Sequence, residues 1–243
     1  MKAMIFAAGM GTRLRPLTER TPKALIGVAG MPMIGRLIQK LKAFGIDQII
    51  INIHHFPEQI EAYLKKNKDF DIEIVISDER SDLMDTGGGL KRAKWFLDGN
   101  SPFILHNVDV FSDINLQKMI SFHQQQKPIA TLAVRHRNSS RFLLFDNQMK
   151  LNGWQNKKTN ETILVNIPTV PLKRLAFSGI HVIDPEIFEL LDEEGPFRII
   201  DSYLDIASTE RIMGFEDSNG YFVDMGTVDG LKQAEKIIKA SEE

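Results

Sequence analysis

The stretch MIFAAGMGTRLRPLTERTPK, Met4 to Lys23, organises the reading of the whole chain. It opens inside an apolar run over residues 3–8 that reads as a buried strand, then turns sharply at Gly9 and Gly11. Glycines at a strand end permit positive φ and leave the backbone bare to an approaching ligand. Successive bare amides in a tight turn make a concavity that binds anions. Arg13, Arg15, Arg20 and Lys23 follow at once, opposed only by Glu19. A nest of amides beside forked guanidinium donors suits a polyphosphate. Two better-known glycine loops are excluded. A dinucleotide fingerprint requires a third glycine where Leu14 stands, and a P-loop requires a Gly-Lys pair that the chain lacks.

Composition narrows the classes. The 243 residues suit one large α/β domain, or a domain with an elaborated lobe. With 43% hydrophobic and 26% charged residues, the chain has the balance of an ordinary globular protein. A net charge of −2 argues against nucleic acid or a membrane surface as partner, so the positive loop is expected to serve a small anion. Cysteine is absent, which excludes a disulfide framework, a thiol nucleophile and a thiolate metal site. The N-terminal apolar run is too short for a secretion signal and no long apolar span follows, so the chain reads as cytoplasmic.

The first half alternates strand and helix signals. Pro32 precedes an amphipathic segment, residues 33–44, with Ile34, Leu37, Ile38 and Leu41 on one face, and Gly45 stops it. Residues 47–53 read as a second buried strand, 57–65 as a helix and 72–76 as a third strand. Short strands joined by helices imply right-handed crossovers and a parallel sheet covered on both faces. Ligands of such sheets bind outside the carboxyl ends of the strands, where the loop from Gly9 to Lys23 lies. His54 and His55 are neighbours in an extended segment and point to opposite faces, which favours packing and hydrogen bonding over shared ligation of a metal. Gly87, Gly88 and Gly89 stand before a helix that runs to about residue 97, suggesting a closely approached backbone there. Residues 102–110 form another strand, with Asp109 at its carboxyl end. Because residues 113–115 can cap the helix 116–125, Asp109 is left available.

The second half changes character. Strands are shorter and polar turns frequent over residues 135–172, with a hairpin from 142–145 and 149–154 around Asp146-Asn147. A buried strand over 176–183 carries Ser178 and Gly179. Helices follow at 185–191 and 199–207, where Asp201 reads as a first-turn acid. A short strand at 211–215 precedes Tyr221-Phe222-Val223-Asp224-Met225-Gly226-Thr227, and Thr227 is expected to cap the last helix.

Gly-x-Gly-Thr-Arg followed ten residues later by Pro-Lys resembles the sugar-1-phosphate nucleotidyltransferase family. The likeness implies an α/β, Rossmann-like three-layer sandwich with a mostly parallel central sheet and an added sugar-binding lobe. It implies a single domain, 1–243, made of a nucleotide-binding half (1–134), the lobe (135–215), and a metal-ligand strand with the C-terminal helix (216–243). Carried over by position, Ala8, Gly9, Gly11, Thr12 and Arg13 would hold the triphosphate, and Lys23 would neutralise charge in the transition state. The Asp85-Thr86-Gly87-Gly88-Gly89 segment is similar to the element that contacts the nucleobase, giving Gly87 and Gly88. Asp109 and Asp224 would be the Mg²⁺ ligands, although Val108 stands where the family usually has glycine and Phe222 where it has tryptophan. A β-branched residue cannot replace a glycine held at positive φ, so Val108 is expected to alter the local backbone. Ser178, Gly179 and Asp201 fall where the family touches its sugar, but a core strand explains Ser178 and Gly179 equally well, and an ordinary first-turn acid is the better reading of Asp201. Longer relatives append a left-handed β-helix, for which this chain leaves no room.

The resemblance implies Mg²⁺-dependent transfer of a nucleoside monophosphate from a nucleoside triphosphate to a sugar 1-phosphate, by a monomer or homodimer. It is nearest to short N-acetylmuramate 1-phosphate uridylyltransferases, with mannose and heptose 1-phosphate guanylyltransferases next, so UTP is favoured over GTP. Three alternatives stay open: a silent nucleotide-sugar-sensing regulatory subunit, a glycosyltransferase with a similar sheet, and a choline-phosphate cytidylyltransferase. Arg13 and Lys23, lying in a loop, are expected to matter for turnover rather than stability.

Overall fold

The computed structural model describes residues 1–242, which gather into two compact units. The first is built from Met1–Leu83, Leu105–Asp113 and Tyr221–Glu243. Its strands Lys2–Phe6, Gln48–Ile53 and Glu73–Asp78 run parallel, with Met4 beside Ile50 and Ile50 beside Val75. Ala3, Met4, Ile5, Ile49, Ile50 and Ile51 are fully buried, as strands covered on both faces require. The helices Met33–Ala43 and Pro57–Lys66 connect them, the latter with proline in its first turn. The 33–43 helix buries Ile34, Leu37, Ile38 and Leu41, the face read from the sequence. Val110–Ser112 and Phe222–Asp224 form a short antiparallel pair, with Asp224 opposite Val110.

The second unit comprises Met84–Ile104 and Ile114–Gly220. Its strand Lys173–Ile183 pairs antiparallel with Ala130–Arg135 and with Arg141–Phe145. Leu151–Asn156 closes the expected hairpin onto Arg141–Phe145 and carries a further exposed strand, Glu161–Leu164, on its other side. Asp146 sets the hairpin turn by accepting the amides of Gln148 and Lys150 through Oδ1. Ile212–Glu216 lies parallel to Ala130–Arg135. The ladder of Lys173–Ile183 is interrupted between Phe177 and His181, where Gly179 takes φ 70°, so Ser178 and Gly179 sit in an irregularity rather than a plain core strand. Asn115 caps the helix Leu116–Gln126 by accepting the Lys118 amide at 2.9 Å, leaving Asp109 uncommitted to that helix.

The glycines 87–89 do not precede a helix; they lie inside Asp85–Arg92 and are buried there. The close backbone approach they imply is made by this unit's own chain. The Gly87 amide donates to the Phe197 carbonyl (2.8 Å), and side chains at Gly87 and Gly88 would run into the Phe197 ring and the Gly195 carbonyl.

Two buried histidines tie stability to pH. His106, fully buried, donates through Nδ1 to the Asn107 carbonyl (2.8 Å), and its Nε2 has no partner among the described residues. Burial, reinforced by Lys40, lowers its pKa to about 3. Burial likewise lowers that of His123, bonded to Thr131, to about 4. The unfolded chain therefore binds more protons below about pH 6.5, so stability is complete above that value and falls as pH drops towards the folded values. Each histidine is expected to remove about 2 kcal/mol between pH 7 and 5. Denaturant midpoints at pH 7, 6 and 5 check this: His106→Gln and His123→Gln should each flatten the decline, and an unchanged slope would refute it.

Candidate active site

Three segments of the first unit converge. The loop after Lys2–Phe6 is fixed first, by a buried polar chain: the Ala7 amide donates to Asn52 Oδ1 (2.8 Å), and Asn52 Nδ2 donates to Glu79 Oε1 (2.8 Å). Gly11 then turns the chain at φ 63°, with Thr18 Oγ1 donating to its carbonyl (2.8 Å). A side chain at Gly11 would meet Thr18 and Lys23 at 2.8 and 3.0 Å, so only glycine fits both the backbone and the space. The amides of Gly9, Met10, Gly11 and Thr12 make no hydrogen bond among the described residues, and Met10 and Gly9 are exposed. Successive amides of this kind, left without a protein acceptor, are chemically suited to an anion.

Lys23 follows buried Pro22 at the start of a short 3₁₀ turn, Lys23–Leu25, and folds back beneath Gly9. Its Nζ donates to Asp109 Oδ2 at 2.9 Å. Arg13 Nη1 donates to Asp224 Oδ2, also at 2.9 Å, and that hydrogen bond pushes the guanidinium pKa further up, keeping it charged. The Met225 amide donates to the Asp109 carbonyl (2.8 Å) and the Gly226 amide to Asp224 Oδ1 (2.9 Å), joining the two acid-bearing segments. Two carboxylates and two cations thus form one neutral cluster. At its centre is Gly226, where a Cβ would lie 2.7 Å from Asp109 Oδ2, 2.8 Å from Asp224 Oδ1 and 2.7 Å from Arg13 Nη2. Thr227 caps the Val228–Glu242 helix as expected, its Oγ1 accepting the Gly230 amide (3.1 Å).

Val108 does not distort this corner. It is fully buried, takes no left-handed conformation and donates its amide to the Phe6 carbonyl (3.2 Å). Its side chain goes into the core, and Asp109 is left facing Lys23. His54 bonds the Glu79 carbonyl (2.7 Å) and His55 the Thr18 carbonyl (3.3 Å), so both brace the loop. Arg15 and Arg20 form no ion pair among the described residues and stand apart from the cluster. Asn52 and Glu79 escaped the sequence reading; a buried Asn at a strand's carboxyl end was the available signal.

The donor set fits a hard cation. Asp109 and Asp224 present oxygens to the same small space, and no group of three or more metal-ligating side chains occurs among the described residues. Mg²⁺ accepts one or two carboxylates and fills its remaining positions with water and phosphate oxygens.

The second unit holds a cavity of about 370 Å³, walled by Phe142, Trp154 and Phe177 among others. Asp201 lines it and receives two hydrogen bonds from Arg198 (2.8 and 2.9 Å). Asp85 and Thr86 line it too, whereas Gly87, Gly88, Ser178 and Gly179 do not. Arg137, Arg141 and Arg198, all missed from sequence, contribute its positive charge.

A nucleotidyl transferase family pattern matches residues 2–241, and the chain belongs to that family. It is 31% identical to an N-acetylmuramate alpha-1-phosphate uridylyltransferase of Neisseria meningitidis over 99% of both chains. A Caulobacter vibrioides protein of the same description is 43% identical over 44% of this chain and 45% of its own. Among solved structures, a UTP-bound UGPase from Acinetobacter baumannii superposes with a TM-score of 0.75 at 21% identity, covering 98% of this chain and 92% of that one. The shared fold is the α/β, Rossmann-like one expected from the sequence, and the protein is a nucleotidyltransferase.

The ion pairs differ in burial, and that separates their roles. Lys23 and Asp109 side chains are 15% and 10% exposed, against 59% and 44% for Arg13 and Asp224. The loop placement leads to the expectation that Lys23 matters mainly for turnover; its burial adds a stability cost, because removing it leaves a buried carboxylate without its cation. Lys23→Ala should cost about 3 kcal/mol in a denaturant titration, and Arg13→Ala less than about 1 kcal/mol. Equal losses would contradict the burial argument. Gly226→Ala should lower turnover about a hundredfold by displacing the cluster; near-normal turnover would show that the cluster tolerates rearrangement.

Proposed function

We propose that this nucleotidyltransferase moves UMP from UTP to N-acetylmuramate 1-phosphate, releasing pyrophosphate, with Mg²⁺ held by Asp109 and Asp224. The observation that carries the reading is the meeting of both acids with Arg13 and Lys23 beside the bare amides of the glycine loop. The full-length likeness to a uridylyltransferase for that sugar supports the choice of substrates.

Nucleotidyl transfer requires positioning and charge neutralisation more than covalent help from the protein. An oxygen of the sugar phosphate attacks the α-phosphorus in line, the α–β bridging bond breaks, and pyrophosphate departs with the electron pair. The attacking phosphate has a second pKa of about 6, so no general base is needed at neutral pH. The amides from Gly9 to Thr12, with Ala8 leading into them, bind the triphosphate. Arg13 exchanges Asp224 for the β- and γ-phosphates and steadies the leaving group. Lys23 exchanges Asp109 for the two reacting phosphates. Bound Mg²⁺ supplies neutralisation of charge on the phosphate oxygens.

Pyrophosphate release with four nucleoside triphosphates and N-acetylmuramate, N-acetylglucosamine, glucose, mannose and heptose 1-phosphates tests this. UTP with N-acetylmuramate 1-phosphate should be the best pair, and Asp109→Ala should lose about a hundredfold or more. Release from a different pair would replace the substrates. Silence across the panel, with tight nucleotide binding, would replace catalysis by a regulatory role.

A further inference from the structure

The cavity of the second unit carries more positive charge than its own acids neutralise. Arg198 is held by both oxygens of Asp201. Asp85 accepts the Thr86 amide through Oδ1 (2.6 Å) and joins no ion pair among the described residues. Arg137 donates through Nη2 to the Phe177 carbonyl (2.8 Å). Arg141 differs from both other arginines. It begins the strand Arg141–Phe145, its backbone is fixed by Ser139 Oγ, and its guanidinium makes no ion pair or hydrogen bond among the described residues. An open groove shares Arg137, Ser139 and Phe142 with the cavity and adds Lys157, Lys158 and Arg174 with no carboxylate in its lining. The field over Arg141 is therefore positive, on a chain whose net charge is −2.

The walls limit what such a field can serve. Trp154, Phe142 and Phe177 give the cavity an aromatic, apolar lining suited to the C–H surface of a sugar ring and to methyl groups. A neutral ring would offer Arg141 only uncharged hydroxyl acceptors. A ring bearing a carboxylate would meet it with a bidentate, charge-assisted pair.

We propose that Arg141 reads a carboxylate carried by the sugar, making this cavity a selectivity site for acidic over neutral sugar phosphates. The proposal rests on the transferase reading for its substrate class, but its test is a binding measurement. N-acetylmuramate 1-phosphate and N-acetylglucosamine 1-phosphate differ only in the lactyl ether that bears the carboxylate, and both carry the phosphate. Calorimetric titration of the whole protein should show the acidic sugar binding tighter. Arg141→Ala should weaken it about ten- to a hundredfold while changing the neutral one much less, and Arg141→Lys should recover part of the loss. Equal weakening of both would mean that Arg141 holds the phosphate, and equal affinity in the unaltered protein would mean that the carboxylate is not read; either overturns the proposal. Absence of pyrophosphate release with any pair, with the binding preference intact, would instead remove the transferase reading alone.

Discussion

Two ion pairs sharing the space beside one glycine set the terms for the first unit. Asp109 follows the strand Phe103–Asn107 and Asp224 ends Phe222–Asp224, and like charges brought this close repel unless each finds a cation. Lys23 and Arg13 provide them, from a loop whose shape is fixed by Gly11 and Thr18. The Lys23–Asp109 pair is shielded enough to hold the loop in place, while the Arg13–Asp224 pair stays open to exchange with water and anions. On the proposed mechanism this difference is useful. The exposed arginine can move with the leaving phosphates, and the buried lysine has only to turn from Asp109 to a neighbouring phosphate oxygen.

Support for that loop comes from below. Asn52 bonds both the Ala7 amide and Glu79, and a buried carboxamide satisfied on both sides is a rigid strut. His54 and His55 add bonds to the carbonyls of Glu79 and Thr18. The amides of Gly9 to Thr12 thus sit without protein acceptors on a loop held in place by its neighbours, an arrangement that suits anion binding with little reorganisation.

Much of this was legible in the sequence because local chemistry fixed it. Strand and helix periods over residues 2–66 follow from buried runs of isoleucine and a clean amphipathic stripe, and Gly11 is marked by its turn chemistry, whereas Lys23, Asp109 and Asp224 were singled out by the family resemblance. What stayed hidden depends on contacts distant in sequence. The run Gly87–Gly89 read as a loop before a helix, yet it is helical, because its bare backbone packs against Phe197 and Gly195 more than a hundred residues away. Val108 looked like a backbone problem, but with its amide bonded to the Phe6 carbonyl and its side chain buried it takes no left-handed turn. Arg137, Arg141 and Arg198 carry no motif, and only the folding of the second unit brings them to one cavity.

The most direct test is a crystal structure with Mg²⁺ and a non-hydrolysable UTP analogue. The metal should lie about 2.1 Å from oxygens of Asp109 and Asp224, with the phosphates on the amides of Gly9 to Thr12 and the Arg13 and Lys23 nitrogens turned from the carboxylates to phosphate oxygens. A metal bound away from these two aspartates, or a triphosphate outside the glycine loop with both ion pairs intact, would contradict it.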